Sequence, residues 1–141
     1  MREYSQLNIK ELFNLAFQNQ KKKNFKIAIN QYKKIIDVNP NLALVYYNLG
    51  LIYEQLGENE VAKKNYKKSV KVDPLFFHSY NNLGILFQKQ GEKEKAIENF
   101  NKVIETNSKY INAYNNLGLV YSSLGQYKEA VNSFIKTLEL D

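Results

Sequence analysis

The sequence predicts an all-α protein, a right-handed superhelix of four 34-residue helix-turn-helix repeats. Three observations carry this. First, Tyr46-Tyr-Asn-Leu-Gly50, Tyr80-Asn-Asn-Leu-Gly84 and Tyr114-Asn-Asn-Leu-Gly118 begin 34 residues apart. Second, the match continues downstream in one phase: Tyr53, Phe87 and Tyr121; Gly57, Gly91 and Gly125; Ala62, Ala96 and Ala130; Tyr66, Phe100 and Phe134. Third, no insertion or deletion breaks the spacing, and a fixed period of this size marks a solenoid.

One period earlier, Leu12, Leu15, Ala16, Ala28 and Tyr32 make a fourth, more diverged copy. The expected organisation is a lead-in at 1–8, then units at 9–42, 43–76, 77–110 and 111–141. Each unit reads as two helices. In Ala43 to Leu56, apolar residues recur at three and four, the spacing of an amphipathic helix. Gly57 ends it as a residue tolerant of positive φ. A second helix follows from Asn59 to Val72, with Val61, Ala62, Tyr66, Ser69 and Val70 inward. Asp73-Pro74 closes the unit, because proline cannot continue a helix and holds the residue before it extended. Asn39-Pro40 does the same one unit earlier. Ser108 replaces proline in the third unit, which predicts a softer stop. The eight helices are expected at 9–22, 25–38, 43–56, 59–72, 77–90, 93–106, 111–124 and 127–140. Gly50, Gly84 and Gly118 are expected to face Ala62, Ala96 and Ala130 on their partner helices, at points of close approach.

Composition narrows the function. The chain has 141 residues, 44% hydrophobic, enough for one domain's core and too much for a disordered segment. It has no cysteine, which excludes disulfides and thiolate chemistry. Residues 1–8 lack the apolar stretch of a signal peptide. No window approaches the roughly 18 apolar residues of a membrane span. A cytoplasmic location is the expectation that follows.

The repeat resembles the tetratricopeptide signature: an aromatic, Leu-Gly, an aromatic, then Ala, an aromatic and Pro. Here it reads Tyr46, Leu49-Gly50, Tyr53, Ala62, Tyr66 and Pro74. The first copy departs most, with Asn19 where the second aromatic should stand, as expected of a terminal unit with less to pack against. The resemblance covers 9–141. It implies a tetratricopeptide solenoid whose concave groove, lined by the first helix of each unit, takes a peptide or protein segment.

The first helices carry the candidate site. Asn14, Asn48, Asn82 and Asn116 each stand one residue before the Leu of Leu-Gly or its equivalent. Asparagine is a poor helix-interior residue, and its amide both donates and accepts. A row of them pointing away from the core would hold an extended chain by its backbone. It resembles the asparagine ladder of the superhelical arrays in the O-linked N-acetylglucosamine transferase and kinesin light chain groups. Asn81 and Asn115 thicken the row. Phe17, Leu51, Ile85 and Leu119, one turn on, form a semi-apolar strip with Phe13 and Tyr47. Lys21, Glu54 and Lys89 mark its rim. The family's clamp for a carboxylate tail needs basic residues where this chain has Phe13, His78 and Asn82, so that clamp is not expected.

Net charge is +6. Unit 9–42 carries seven lysines against two acids; the other units lie between +1 and −1. Most of these lysines fall on the inter-helix turn and the second helices, a solvated outer face. No stacking aromatics alternate with these lysines, and there is only one arginine, Arg2, which argues against nucleic acid as the partner. A lone His78, no phosphate loop and no metal-ligand cluster leave no catalytic residue, metal site or cofactor to expect. The leading reading is a protein- or peptide-binding module with no enzyme activity. The alternatives are a self-associating array, paired through an uncapped C-terminal face of Val131, Phe134, Ile135 and Leu138, or the scaffold part of a larger enzyme or adaptor.

Overall fold

A computed structural model describes residues 8–141. It contains eight α-helices and, among the described residues, no strand. They are α1 (Ile9–Lys21), α2 (Phe25–Val38), α3 (Ala43–Gln55), α4 (Asn59–Val72), α5 (Phe77–Lys89), α6 (Lys93–Thr106), α7 (Ile111–Ser123) and α8 (Tyr127–Leu140). The second helices span the expected residues. Each first helix is one residue shorter, because Lys22, Leu56, Gln90 and Leu124 act as C-caps. Consecutive helices pair as hairpins, α1 with α2, α3 with α4, α5 with α6 and α7 with α8. The chain divides into two compact units, one through Val72 holding α1–α4 and one from Asp73 holding α5–α8.

All four hairpin turns use one device. In α3, the Gly57 amide donates to the Glu54 carbonyl and the Glu58 amide to the Tyr53 carbonyl. That double bond pattern is a Schellman motif, and it needs a left-handed residue just past the C-cap. Gly57 supplies it at φ 78°, as do Gly91 and Gly125 in their turns. In the first hairpin the same bonds run from Lys23 and Asn24 to Gln20 and Asn19, and Lys23 itself takes φ 61°. A side chain there is strained where the other three turns have none.

The junctions between hairpins also repeat. Asn39, Asp73 and Asn107 each accept, through a side-chain oxygen, the backbone N–H two residues on. Asn107-Ser108 therefore stops its helix with the same turn as Asn39-Pro40, and the softer stop expected there is not found.

The cores follow the heptad-like spacing of each helix. In the first unit Leu12, Ala16, Ala28, Tyr32, Ile35, Val45, Leu49 and Ile52 form one buried cluster. In the second, Leu83, Leu86, Phe87, Ala96, Phe100, Val103, Ala113, Leu117 and Val120 are buried. The glycines correct one expectation. The nearest atoms to a Cβ on Gly50, Gly84 or Gly118 belong not to Ala62, Ala96 or Ala130 but to the rings of Tyr66, Phe100 and Phe134. The missing side chain makes room for an aromatic ring against the helix.

Asn19 also has a reason other than terminal slack. Its amide donates to Leu15 O at 3.1 Å and to the Gln31 side chain at 3.1 Å, and its oxygen accepts from Asn24 at 3.2 Å. Gln31 is buried, so a polar pair has replaced an aromatic contact with its hydrogen bonds satisfied.

Candidate functional site

The ladder positions share a register but not an environment. Asn14 is exposed on α1. Asn48, one repeat on, is only 3% exposed and hydrogen-bonds the phenol of Tyr32. Tyr32 in turn donates to the Gln20 side chain at 2.8 Å. Asn48 therefore belongs to a buried polar chain, Gln20–Tyr32–Asn48, and the expectation that it points away from the core is wrong. Burial pushes the Tyr32 phenol well above its ordinary value, and the Asn48 bond partly opposes the rise. Asn14 has no counterpart of Tyr32 beside it, because no second helix precedes α1 among the described residues.

In the second unit the amides are linked to each other. Asn116 donates to Asn81 at 3.4 Å, and Asn81 donates to Asn82 at 3.4 Å. Asn81 is buried at 7% exposure, Asn82 and Asn116 are half-buried, and Asn115 is exposed. Phe100 stands where Tyr32 stands two repeats earlier and has no hydroxyl. Asn116 turns to Asn81 instead. Both bonds are long, at the weak end of the range.

The semi-apolar strip divides in the same way. Phe17 and Leu119 are exposed; Leu51 and Ile85 are half-buried. Phe13 and Phe17 stack at 6.4 Å between ring centroids, and the Lys21 ammonium lies 4.7 Å over the Phe17 ring. Phe13 also packs on Tyr32 at 5.7 Å, and Tyr47 on Tyr66 at 5.9 Å, so these two serve the core as well as the surface. The rim residue Glu54 accepts a 2.9 Å bond from Tyr66.

One feature was not expected. A pocket of about 350 Å³ opens beside α1 and α3 in the first unit, lined by Ile9, Lys10, Phe13, Leu42, Leu44 and Val45. Its walls are nearly all apolar apart from Lys10. Leu44 was the available signal: a leucine in the first turn of α3 that the core does not cover. In the second unit His78 sits among Phe76, Phe77 and Tyr110, with ring centroids 4.0–6.2 Å away. Loss of hydration lowers its pKa from the usual histidine value. Among the described residues no group of three or more His, Cys, Asp or Glu is placed to hold a metal.

Sequence profiles described as TPR repeat and tetratricopeptide repeat match residues 21–57, 89–125, 43–74, 65–98 and 111–141. The chain belongs to the tetratricopeptide repeat family. A crystal structure of MamA is 29% identical, with a TM-score of 0.87 over 94% of this chain and 78% of that one. A second MamA structure gives 29%, 0.84, 94% and 73%. MamA 41-end from Desulfovibrio magneticus RS-1 is 20% identical at a TM-score of 0.80, over 94% of this chain and 75% of its own, and speaks for the fold alone. No curated protein matches. The tetratricopeptide fold makes the chain a protein-interaction repeat module, and repeats of this family are generally non-enzymatic scaffolds. Among the described residues no helix is long and apolar enough to cross a membrane.

Proposed function

We propose that this tetratricopeptide array binds an extended segment of a partner protein along the exposed faces of its first helices, within the repeat frame 9–42, 43–76, 77–110 and 111–141. The observation that carries the reading is the face of the first unit. The stacked Phe13 and Phe17 rings, the exposed Asn14 amide and the apolar pocket walled by Ile9 and Leu44 lie together on α1 and the start of α3. An exposed ring such as Phe17, backed by half-buried Phe13 at the edge of a pocket, is what interfaces use as an anchor. Asn14 pairs with peptide N–H and C=O groups, and the pocket takes an apolar side chain. In the second unit Asn82, Asn115, Asn116 and Leu119 offer an amide-rich face, whose two long internal bonds give way to shorter ones with a bound backbone. Asn48 and Asn81 support these faces from beneath.

The test is selection of peptides from a random display library, followed by titration against variants. Asn14→Ala and Asn116→Ala should each weaken the selected peptide by about 0.5–1.5 kcal/mol. Leu44→Ser should weaken peptides carrying a bulky apolar residue more than those without one. Helicity should be unchanged in all three. If the three variants bind every selected peptide as tightly as the parent, the groove reading fails.

A further inference from the structure

The face of α1 carries charge as well as rings. Lys10, Phe13, Asn14, Phe17 and Lys21 recur at three or four residues, so they form one stripe about 100° wide along the helix. Lysines close both ends of the stripe, and the rings and the amide fill its middle. All but the half-buried Phe13 are exposed. Lys10 is also part of the wall of the apolar pocket, with Phe13 and Leu44, and the Lys21 ammonium lies 4.7 Å over the Phe17 ring.

Neither lysine belongs to the pattern of the repeat. The register of Lys10 holds Leu44, His78 and Asn112 in the later copies, and that of Lys21 holds Gln55, Lys89 and Ser123. Only the first copy has both. Helix stability does not account for the pair either. Lys21 is in the last turn of α1, where the macrodipole favours a cation, but Lys10 is in the first turn, where it opposes one. Among the described residues no carboxylate pairs with Lys10 or Lys21. Glu11, the acid of α1, is engaged with Asn8 in the cap, and Glu54 on α3 accepts from Tyr66. The surrounding unit 9–42, with seven lysines against two acids, adds to the positive potential over the stripe.

An apolar pocket and two rings bracketed by ammonium groups fit a segment that is apolar in its middle and anionic at both ends. Its spacing follows from α1. The helix rises about 16 Å between Lys10 and Lys21. An extended chain advances about 3.3 Å per residue, so it covers that distance in about five residues. The pocket is at the Lys10 end, which puts the apolar side chain next to the nearer carboxylate. Asn14, between the two, pairs with the backbone. We propose that the partner segment is acidic: two Asp or Glu residues about five apart, a bulky apolar residue beside one of them, and the carboxylates on Lys10 and Lys21. This rests on the groove reading above and gives its ligand a chemistry. The carboxylates are side chains of an internal segment, because the positions of the family's tail clamp hold Phe13, His78 and Asn82.

The experiment runs the display selection in parallel on the full chain and on Lys10→Glu/Lys21→Glu. The parent pool should be enriched in acid pairs flanking an apolar residue, and the charge-reversed pool should exchange them for basic pairs. A peptide selected on the parent is then synthesised with its acids intact and as the matching amides, and titrated by fluorescence anisotropy. The amide form should bind about threefold to tenfold more weakly, with the difference shrinking as salt rises, since these are exposed ion pairs. Lys10→Glu/Lys21→Glu should weaken the acidic peptide about tenfold or more. Lys33→Glu/Lys64→Glu makes the same change in net charge at exposed positions of α2 and α4, and should weaken it less than about twofold at physiological salt. Amidating the peptide's C-terminus should change nothing, and circular dichroism should be the same for all variants. Peptides that depend on Asn14 and Leu44 but bind equally well as amides would overturn this inference and leave the groove reading standing. Equal losses in the two double variants would overturn it in favour of net charge alone, and a loss on amidating the C-terminus in favour of a chain end. Peptides indifferent to the Asn14, Asn116 and Leu44 variants would remove the groove reading, and this inference with it.

Discussion

Replacing Gly84 should expose how the hairpins are held. A Cβ at this position would lie 2.5 Å from Phe100 Cε1 and 2.8 Å from Cδ1 and Cζ. Carbon atoms in contact settle at about 3.5–4.0 Å, so ring and helix must separate by about 1 Å. The Phe100 ring is fully buried and so is Ala96 on the same helix, which leaves no open side to yield. Overpacking of this kind costs about 1–3 kcal/mol. Alanine's better helix propensity returns about 0.8–1.0 kcal/mol. Gly84→Ala should therefore be destabilised by about 0–2 kcal/mol, and Gly84→Leu, with three more carbons, by about 3 kcal/mol or more. Urea unfolding followed by far-UV circular dichroism measures both. In a Phe100→Leu background the Gly84→Ala cost should shrink by about 0.5 kcal/mol or more, since the two positions touch. Ala16 holds the glycine register in the first hairpin, beside a fully buried Tyr32. There the methyl is already accommodated, and Ala16→Gly should destabilise. A Gly84→Ala protein stabilised by the full propensity gain, or a Gly84→Leu protein unfolding with the parent, would refute the ring-over-glycine account.

Three further outcomes follow from particular residues. Lys23→Gly should stabilise the protein by about 1 kcal/mol in the same unfolding assay, because it removes a side chain from left-handed backbone. Asn48→Ala should destabilise by about 1–3 kcal/mol through loss of the buried bond to Tyr32, whereas Asn14→Ala should be neutral or slightly stabilising; equal effects would dissolve the distinction drawn between them. Tyr32 carries a folded-state pKa raised above its ordinary 10.0, so its contribution is complete below about pH 10 and falls as pH rises beyond it; urea midpoints measured up that range should fall less steeply in Tyr32→Phe.

The helices were legible because their punctuation repeats in phase. Three glycines and the Asn39, Asp73 and Asn107 turns mark nearly every boundary. Lys23 shows the limit of that signal, since it does a glycine's work with a side chain attached. Hidden more deeply was which way an in-phase residue faces its neighbours. Asn14 and Asn48 have identical positions in the period, and Asn48 lies inside where a second helix carrying Tyr32 precedes it, whereas among the described residues none precedes Asn14. The same reason made the glycine contacts invisible: a period places Gly50, Ala62 and Tyr66 on facing helices, but only side-chain geometry shows that the ring, not the methyl, lies closest. The pocket at Leu44 is a void between two helices, and no linear pattern writes one.

The way α1 begins sets where the first unit resists fraying. It alone of the helices whose caps are described carries a full capping box, Asn8 accepting from the Glu11 amide and the Glu11 side chain accepting from the Asn8 amide. Helices α3, α5 and α7 begin on Leu42, Phe76 and Tyr110, without side-chain caps. A capped helix holds its first turn with its own bonds, whereas an uncapped one relies more on packing to do so. Within the first unit α1 is therefore the helix that depends least on its neighbour to order its start, and α2 packs along it. Fraying there has to break two side-chain bonds first, whereas at the starts of α3, α5 and α7 only lost packing stands in its way.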